Sequence, residues 1–177
     1  VGECAGASFH GFNRLGTNSI LELIAMGRFV GQAVLTHLKN MPQKRPQAQK
    51  LIHLSLFDRY LEARGSENAD QLREAMRMVM TEHLGIFRTE AGILKAIEAL
   101  KELKERAAKI QVFNKSLRMN PEMIQRWELD SLLAVAMVIA RAALERKESR
   151  GGHYRDDFPE RNDVYHYHTL VSMPQFG

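Results

Sequence analysis

Cysteine occurs once in the 177 residues, as Cys4, so no internal disulfide can form. A reducing compartment is therefore expected rather than a secreted scaffold. No partner arrangement for a nucleophile accompanies Cys4, which reads as a small packed hydrophobe. Charge of one sign is also lacking: 25 basic residues are interleaved with 21 acidic ones for a net charge of +4. Such mixing describes solvated helix faces, and the densest basic stretch, residues 39–50, contains Pro42 and Pro46 but no aromatic side chain to stack on a base. No nucleic-acid partner is expected. No continuous apolar run approaches the roughly 20 residues that cross a bilayer, and no signal-peptide pattern precedes Val1. The expectation is a chain that is soluble, or peripheral through a partner. Strand-like alternation is missing after residue 40.

What is present is helical periodicity. Ile20, Leu23, Ile24, Gly27, Val30, Gly31, Val34, Leu35 and Leu38 recur at a helical spacing over residues 19–38. Gly27 and Gly31 share one face, where close packing against another backbone explains residues that otherwise cost about 1 kcal/mol each relative to alanine. Pro42 and Pro46 interrupt the helix and mark a linker between two structural units. Leu54, Phe57 and Leu61 predict a short amphipathic helix ending at Gly65, with Ser66 or Asn68 capping the next. That next helix carries Leu72, Met76, Val79, Met80 and His83 on one face, with Met76, Met78 and Met80 read as core filler. Thr89 opens a further helix with the stripe Ile93, Ile97, Leu100, Leu103, Ala107 and Ile110, its other face bearing alternating Glu and Lys. After Asn120-Pro121, residues 122–147 form the longest helix, whose middle, 132–143, is apolar or small nearly all round and is expected to be buried.

Two non-helical stretches carry the polar chemistry. The first is His10-Gly11-Phe12-Asn13-Arg14-Leu15-Gly16-Thr17-Asn18-Ser19, a glycine-rich turn running into a helix. Asn18 or Ser19 is the expected N-cap, the first-turn amides and the helix dipole favour an anion, and the Arg14 fork can take a carboxylate or phosphate with two bonds. An ordinary glycine-rich loop with a surface arginine fits the same spacing. The second stretch, residues 148–163, is polar and irregular. His153, His166 and His168 with Asp156 and Asp157 match no established metal-ligand spacing, and no metal is expected. Close-spaced Arg and Asp there predict buried ion pairs that pin the tail to a neighbouring surface.

Together these stretches resemble a known family. Gly2-Glu3-Cys4-Ala5 with His10-Gly11-x-Asn13-Arg14-Leu15-Gly16-x-Asn18-Ser19 is similar to the C-terminal part of the flavin domain in succinate dehydrogenase and fumarate reductase flavoprotein subunits. Arg146-Lys147-Glu148-Ser149-Arg150-Gly151-Gly152-His153-x-Arg155-x-Asp157-Phe158-Pro159-x-Arg161-x-Asp163, ending in His168-Thr169-Leu170, looks like that family's closing motif, with Gly85-Ile86-x-Arg88-Thr89 between them. The resemblance spans nearly the whole chain. Phe12, Thr17 and Gly152 depart from the family's commonest residues, frequently Ala, Gly and Ala.

The resemblance implies a mainly α fold: residues 1–40 as the C-terminal end of a FAD-binding α/β domain, 41–147 as a helical domain, and 148–177 as an irregular docking tail. It implies a fragment, because the dinucleotide G-x-G-x-x-G motif, the flavin-attachment histidine and the catalytic arginine of a capping domain are not among these residues. No catalytic residue is therefore assigned, and alone the fragment is expected to be inactive and not to hold FAD tightly. Glu3, Ser19 and Ile20 fall on flavin-binding positions, Arg14 on the arginine that grips a substrate carboxylate, and His10 and Asn13 on loop support. The implied enzyme interconverts succinate and fumarate through FAD and passes electrons to an iron-sulfur subunit and membrane anchor, on the cytoplasmic side of the inner membrane. L-aspartate oxidase shares a similar first motif, although the tail favours the succinate and fumarate branch; a helical protein-interaction module is the reading from a different class.

Overall fold

The computed structural model describes residues 9–10, 14–41 and 54–171, with backbone alone at 54–56. Glu3, Cys4, Asn13, Pro42 and Pro46, and with them most of the expected linker, lie outside the described residues. The chain divides into two compact units, Val1–Lys50 and Leu51–Gly177.

In the first unit the helical period produces α1, Asn18–Asn40. Its N-cap is Thr17 rather than Asn18 or Ser19, which both lie inside the helix. Thr17 takes a left-handed conformation at φ 70° and its carbonyl accepts the Ile20 amide at 3.0 Å, so the chain reverses one residue earlier than expected. The Thr17 hydroxyl donates to the Gly16 carbonyl at 2.6 Å and caps nothing. His37 and Lys39 in the last turn complement the negative end of the helix dipole. The apolar stripe is not buried among the described residues: Leu23 is 64% and Ile24 70% exposed, and apart from the helix's own neighbouring backbone no described atom lies within 4 Å of a Cβ placed on Gly27 or Gly31. Contrary to the expectation from continuous runs, α1 is long and apolar enough, by length and composition, to cross a membrane. Isolated charges such as Glu22 and Arg28 break the run without bringing its mean hydropathy below 1.3 over 18 residues.

The second unit is built on α3 (Ala69–Leu84), α4 (Glu90–Ala107) and α5 (Pro121–Glu145). Each starts at a side-chain cap. Asn68 Oδ1 accepts the amides of Asp70 and Gln71, Thr89 Oγ1 that of Gly92, and Asn120 Oδ1 that of Met123, with Pro121 in the first turn. Ser66 is therefore not the cap of α3. The stripe expected for α4 is buried in full, Ile93 through Ile110, and packs with Leu72 and Met76 of α3 and Leu129, Leu133, Ala136, Met137 and Ala140 of α5. A smaller cluster of Tyr60, Val112 and Met123 fastens α2, Leu54–Glu62, beside this core. There the Tyr60 hydroxyl donates to Asp130 at 2.6 Å and Arg126 stacks over the Tyr60 ring. Burial, reinforced by Asp130, pushes the Tyr60 phenol above its ordinary range. Gly65 is required by close approach, since a Cβ there would fall 1.9 Å from the Lys109 carbonyl.

Three expectations are corrected in this unit. Met78 points to solvent at 63% exposure, because 78 lies off the face defined by 72, 76, 79 and 80. The middle of α5 buries one face only, and Val135 and Ile139 on the other are 56% and 42% exposed, so an all-round apolar composition overstates its burial here. Two strands of two residues do exist: β1, Phe87–Arg88, pairs in parallel with β2, Tyr154–Arg155. Elements that short leave no alternation to detect.

Candidate functional site

The polar loop of the first unit is tied back onto α1 at two places. Arg14 Nη1 donates to the Ser19 hydroxyl at 2.5 Å, so the guanidinium lies against the first turn. His10 Nε2 lies 2.5 Å from Glu22 Oε2; the carboxylate can only accept, so the imidazole donates through Nε2. His10 and Glu22 are largely buried, whereas Arg14 is exposed. The first turn of α1 holds no acidic residue, and Asn18 and Ile20 are exposed beside half-buried Ser19. An exposed positive helix end next to an arginine suits a ligand carrying carboxylates or electron-rich carbonyls. Arg14, Ser19, Ile20 and His10 thus fall together, while Glu3 and Asn13 lie outside the described residues. Glu22 was not singled out in the sequence, although its position three residues after Ser19 puts it on the same helix face.

The second polar site is the tail, where carboxylates and arginines close the helical unit. Fully buried Arg155 gives two parallel bonds to Asp157, at 2.7 and 2.8 Å, and its Nη1 donates to the Ala143 carbonyl in the last turn of α5. Asp157 in turn accepts the Glu90 amide at the start of α4 at 2.8 Å. One ion pair therefore joins the positive end of α4 to the negative end of α5. Buried Glu148 accepts from Arg146, Arg150 and the Asn162 amide. Hydrogen bonds from Arg150, ahead of those from Asn162 and Arg146, hold its carboxyl down at about 2. Arg155 does the same for Asp157, also to about 2. The Arg146 guanidinium lies over the Tyr165 and Tyr167 rings and donates to both of their carbonyls.

His153 is buried where these elements meet. Arg88 of β1 donates to its Nδ1 at 3.0 Å, so that nitrogen is an acceptor and Nε2 carries the proton toward the Arg146 carbonyl, also at 3.0 Å. Burial, with the Arg88, Arg155 and Arg146 cations adding to it, lowers the pKa of His153 below its ordinary value. The hairpin that presents it turns at Gly151, whose φ of 59° favours glycine. Both ring nitrogens of His153 and both oxygens of Asp157 are thus engaged by protein groups. Among the described residues no group of three or more His, Cys, Asp or Glu is placed to hold a metal. The ion pairs expected from close-spaced Arg and Asp are present; the joining of Arg88 to His153 across 65 residues carried no sequence signal.

A helical bundle closed by an arginine–carboxylate tail, preceded by a loop-and-helix unit bearing a cation, is the class of domain that these features define. Residues 73–176 match the family described as fumarate reductase flavoprotein C-term, and the chain belongs to that family. It is 40% identical over 181 residues to a fumarate reductase flavoprotein subunit of Haemophilus influenzae, and 35% identical over 180 residues to a succinate dehydrogenase flavoprotein subunit of Rickettsia bellii. Each match covers 100% of this chain and 30% of the relative. A structure of E. coli quinol fumarate reductase superposes with a TM-score of 0.82 at 34% identity, over 93% of this chain and 29% of that one. The chain thus spans about 30% of the length of the curated relatives that it matches.

Proposed function

We propose that the chain is the C-terminal part of a flavoprotein subunit that interconverts succinate and fumarate. The observation that carries this reading is the likeness to the Haemophilus fumarate reductase flavoprotein subunit along the full length of the chain. In this reading residues 1–40 complete a FAD-binding domain, 41–147 are the helical domain and 148–177 are its docking tail. The apolar face of α1 is covered by the remainder of that flavin domain, and Gly27 and Gly31 allow the close approach.

The residues present fit a flavin, because the start of α1 offers a positive dipole end without an acidic side chain, suited to the electron-rich edge of the ring. Glu3, Ser19 and Ile20 would hold FAD, which when bound exchanges a hydride equivalent with the dicarboxylate. Arg14 grips one substrate carboxylate, neutralises its charge and orients the carbon chain, while Ser19 braces the guanidinium. His10 and Asn13 support the loop. The catalytic proton donor comes from the rest of the subunit. Electrons pass to an iron-sulfur subunit and a membrane anchor, which keeps the subunit peripheral to the cytoplasmic face of the inner membrane.

The test is Arg14→Ala in the complete enzyme. Succinate oxidation should fall at least about a hundredfold, the scale of losing one preorganised charge-stabilising donor, with flavin content unchanged. Near-normal turnover would overturn the assignment of Arg14.

A further inference from the structure

We infer that Glu22 is a positioning residue for the substrate arginine, acting through His10; this rests on the reading of Arg14 given above. Ser19 and Glu22 are three residues apart in α1 and share a face, with about 4.5 Å between them along the axis. Arg14 is bonded to the first of these side chains and His10 to the second. Arg14 and His10, four residues upstream of it, are thereby each tied to the same rigid element. The Glu22 bond spans 12 residues, and both partners are mostly withdrawn from solvent, at 18% and 14% side-chain exposure. A surface ion pair would contribute little, but a largely buried carboxylate–imidazole bond resists rotation of the imidazole and fixes His10 against α1. Phe9 packs its ring edge-to-face on His10 at 5.1 Å. The Ser19 hydroxyl holds the guanidinium at the first turn of α1, and the His10–Glu22 bond adds a fixed point upstream.

A displacement of about 1 Å in a substrate-orienting group is enough to cost two orders of magnitude, so a bond that touches neither substrate nor flavin acts here through position. Its signature differs from that of general structural damage. Weakened positioning of Arg14 loosens dicarboxylate binding and leaves the flavin in place.

The experiment uses the assembled enzyme with Glu22→Ala, Glu22→Gln, His10→Ala, the Glu22→Ala/His10→Ala double variant and Arg14→Ala, measuring flavin absorbance and the KM and kcat for succinate. Glu22→Ala and His10→Ala are each expected to raise KM about tenfold with kcat within threefold and flavin retained. The double variant is expected to match the single ones, since both remove the same tie. If Glu22→Ala loses its flavin, near-isosteric Glu22→Gln is read instead, with a KM increase of at least threefold expected. A KM within twofold of the parent in the variant so read, or single effects that multiply in the double variant, overturns the inference. Arg14→Ala separates the two claims: full activity there removes the underlying reading, whereas a dead Arg14→Ala beside an unaffected Glu22 series removes this inference alone.

Discussion

The two units of this chain spend polar side chains in opposite ways. In the second, arginines and carboxylates are drawn inside and bonded to saturation, as with Arg155 and Glu148, both fully buried. In the first, α1 buries no residue, and Arg14 to Ser19 and His10 to Glu22 are side-chain ties at its start. One kind of residue can thus close a fold in one place and present a cation in another, according to whether the protein buries it. Arg155 is bonded to Asp157 and to the end of α5, whereas Arg14 remains exposed at a helix start.

The largest effect is expected from separating the two units. Residues 51–177 expressed alone should unfold cooperatively in urea with helical circular dichroism, while 1–50 alone should show little helix, because α1 buries none of its residues and an unpacked helix is marginal in water. Next in size, Arg155→Met should destabilise the helical unit by about 3–5 kcal/mol, since it leaves Asp157 partly buried without its cation; Arg14→Met should change stability by less than about 0.5 kcal/mol. Leu100→Ala should cost about 2–5 kcal/mol by opening a cavity in the core, against little for exposed Leu23→Ala in the same chain.

Acid provides a smaller effect. His153 has a lowered pKa in the folded chain, so between its ordinary value near 6.5 and the lower folded value the unfolded chain binds the extra proton. Stability from His153 is complete above about pH 6.5 and is lost as pH falls. Urea midpoints should drop from pH 7 to pH 5, and His153→Gln should flatten that part of the curve. Smallest of all, Thr17→Gly should stabilise the entry to α1 by about 1 kcal/mol, because a β-branched residue at φ 70° is strained and glycine is not. Thermal unfolding of the complete enzyme measures it, and no gain would mean that the Thr17–Gly16 bond offsets the strain.

Periodicity made most of the helical unit legible. The α4 stripe from Ile93 to Ile110 is buried as the 3.6-residue repeat requires, and Asn68, Thr89 and Asn120-Pro121 mark helix starts by composition alone. What escaped was set by distance. Arg88 meets His153 over 65 residues, and two-residue strands carry no repeat, so neither contact leaves a local pattern. Thr17 was missed as the cap because its role comes from backbone reversal, with no side-chain bond to betray it. Of the candidate site, Arg14 and Ser19 stand out in the loop's composition and His10 through the family resemblance, while Glu22 is hidden as one acidic residue in an apolar helix.

The bond from Asp157 to the first residue of α4 has a consequence in time. The two groups are 67 residues apart in the chain. A ribosome adding about 5–20 residues per second needs roughly 3–13 s to make that stretch, and throughout it the start of α4 waits for its acceptor. The end of α5 waits for Arg155 too, though over only 12 residues. Translation that stops shortly before Tyr154 would release a protein with every core helix present and two helix ends unfinished, a difference that proteases acting on frayed termini can recognise.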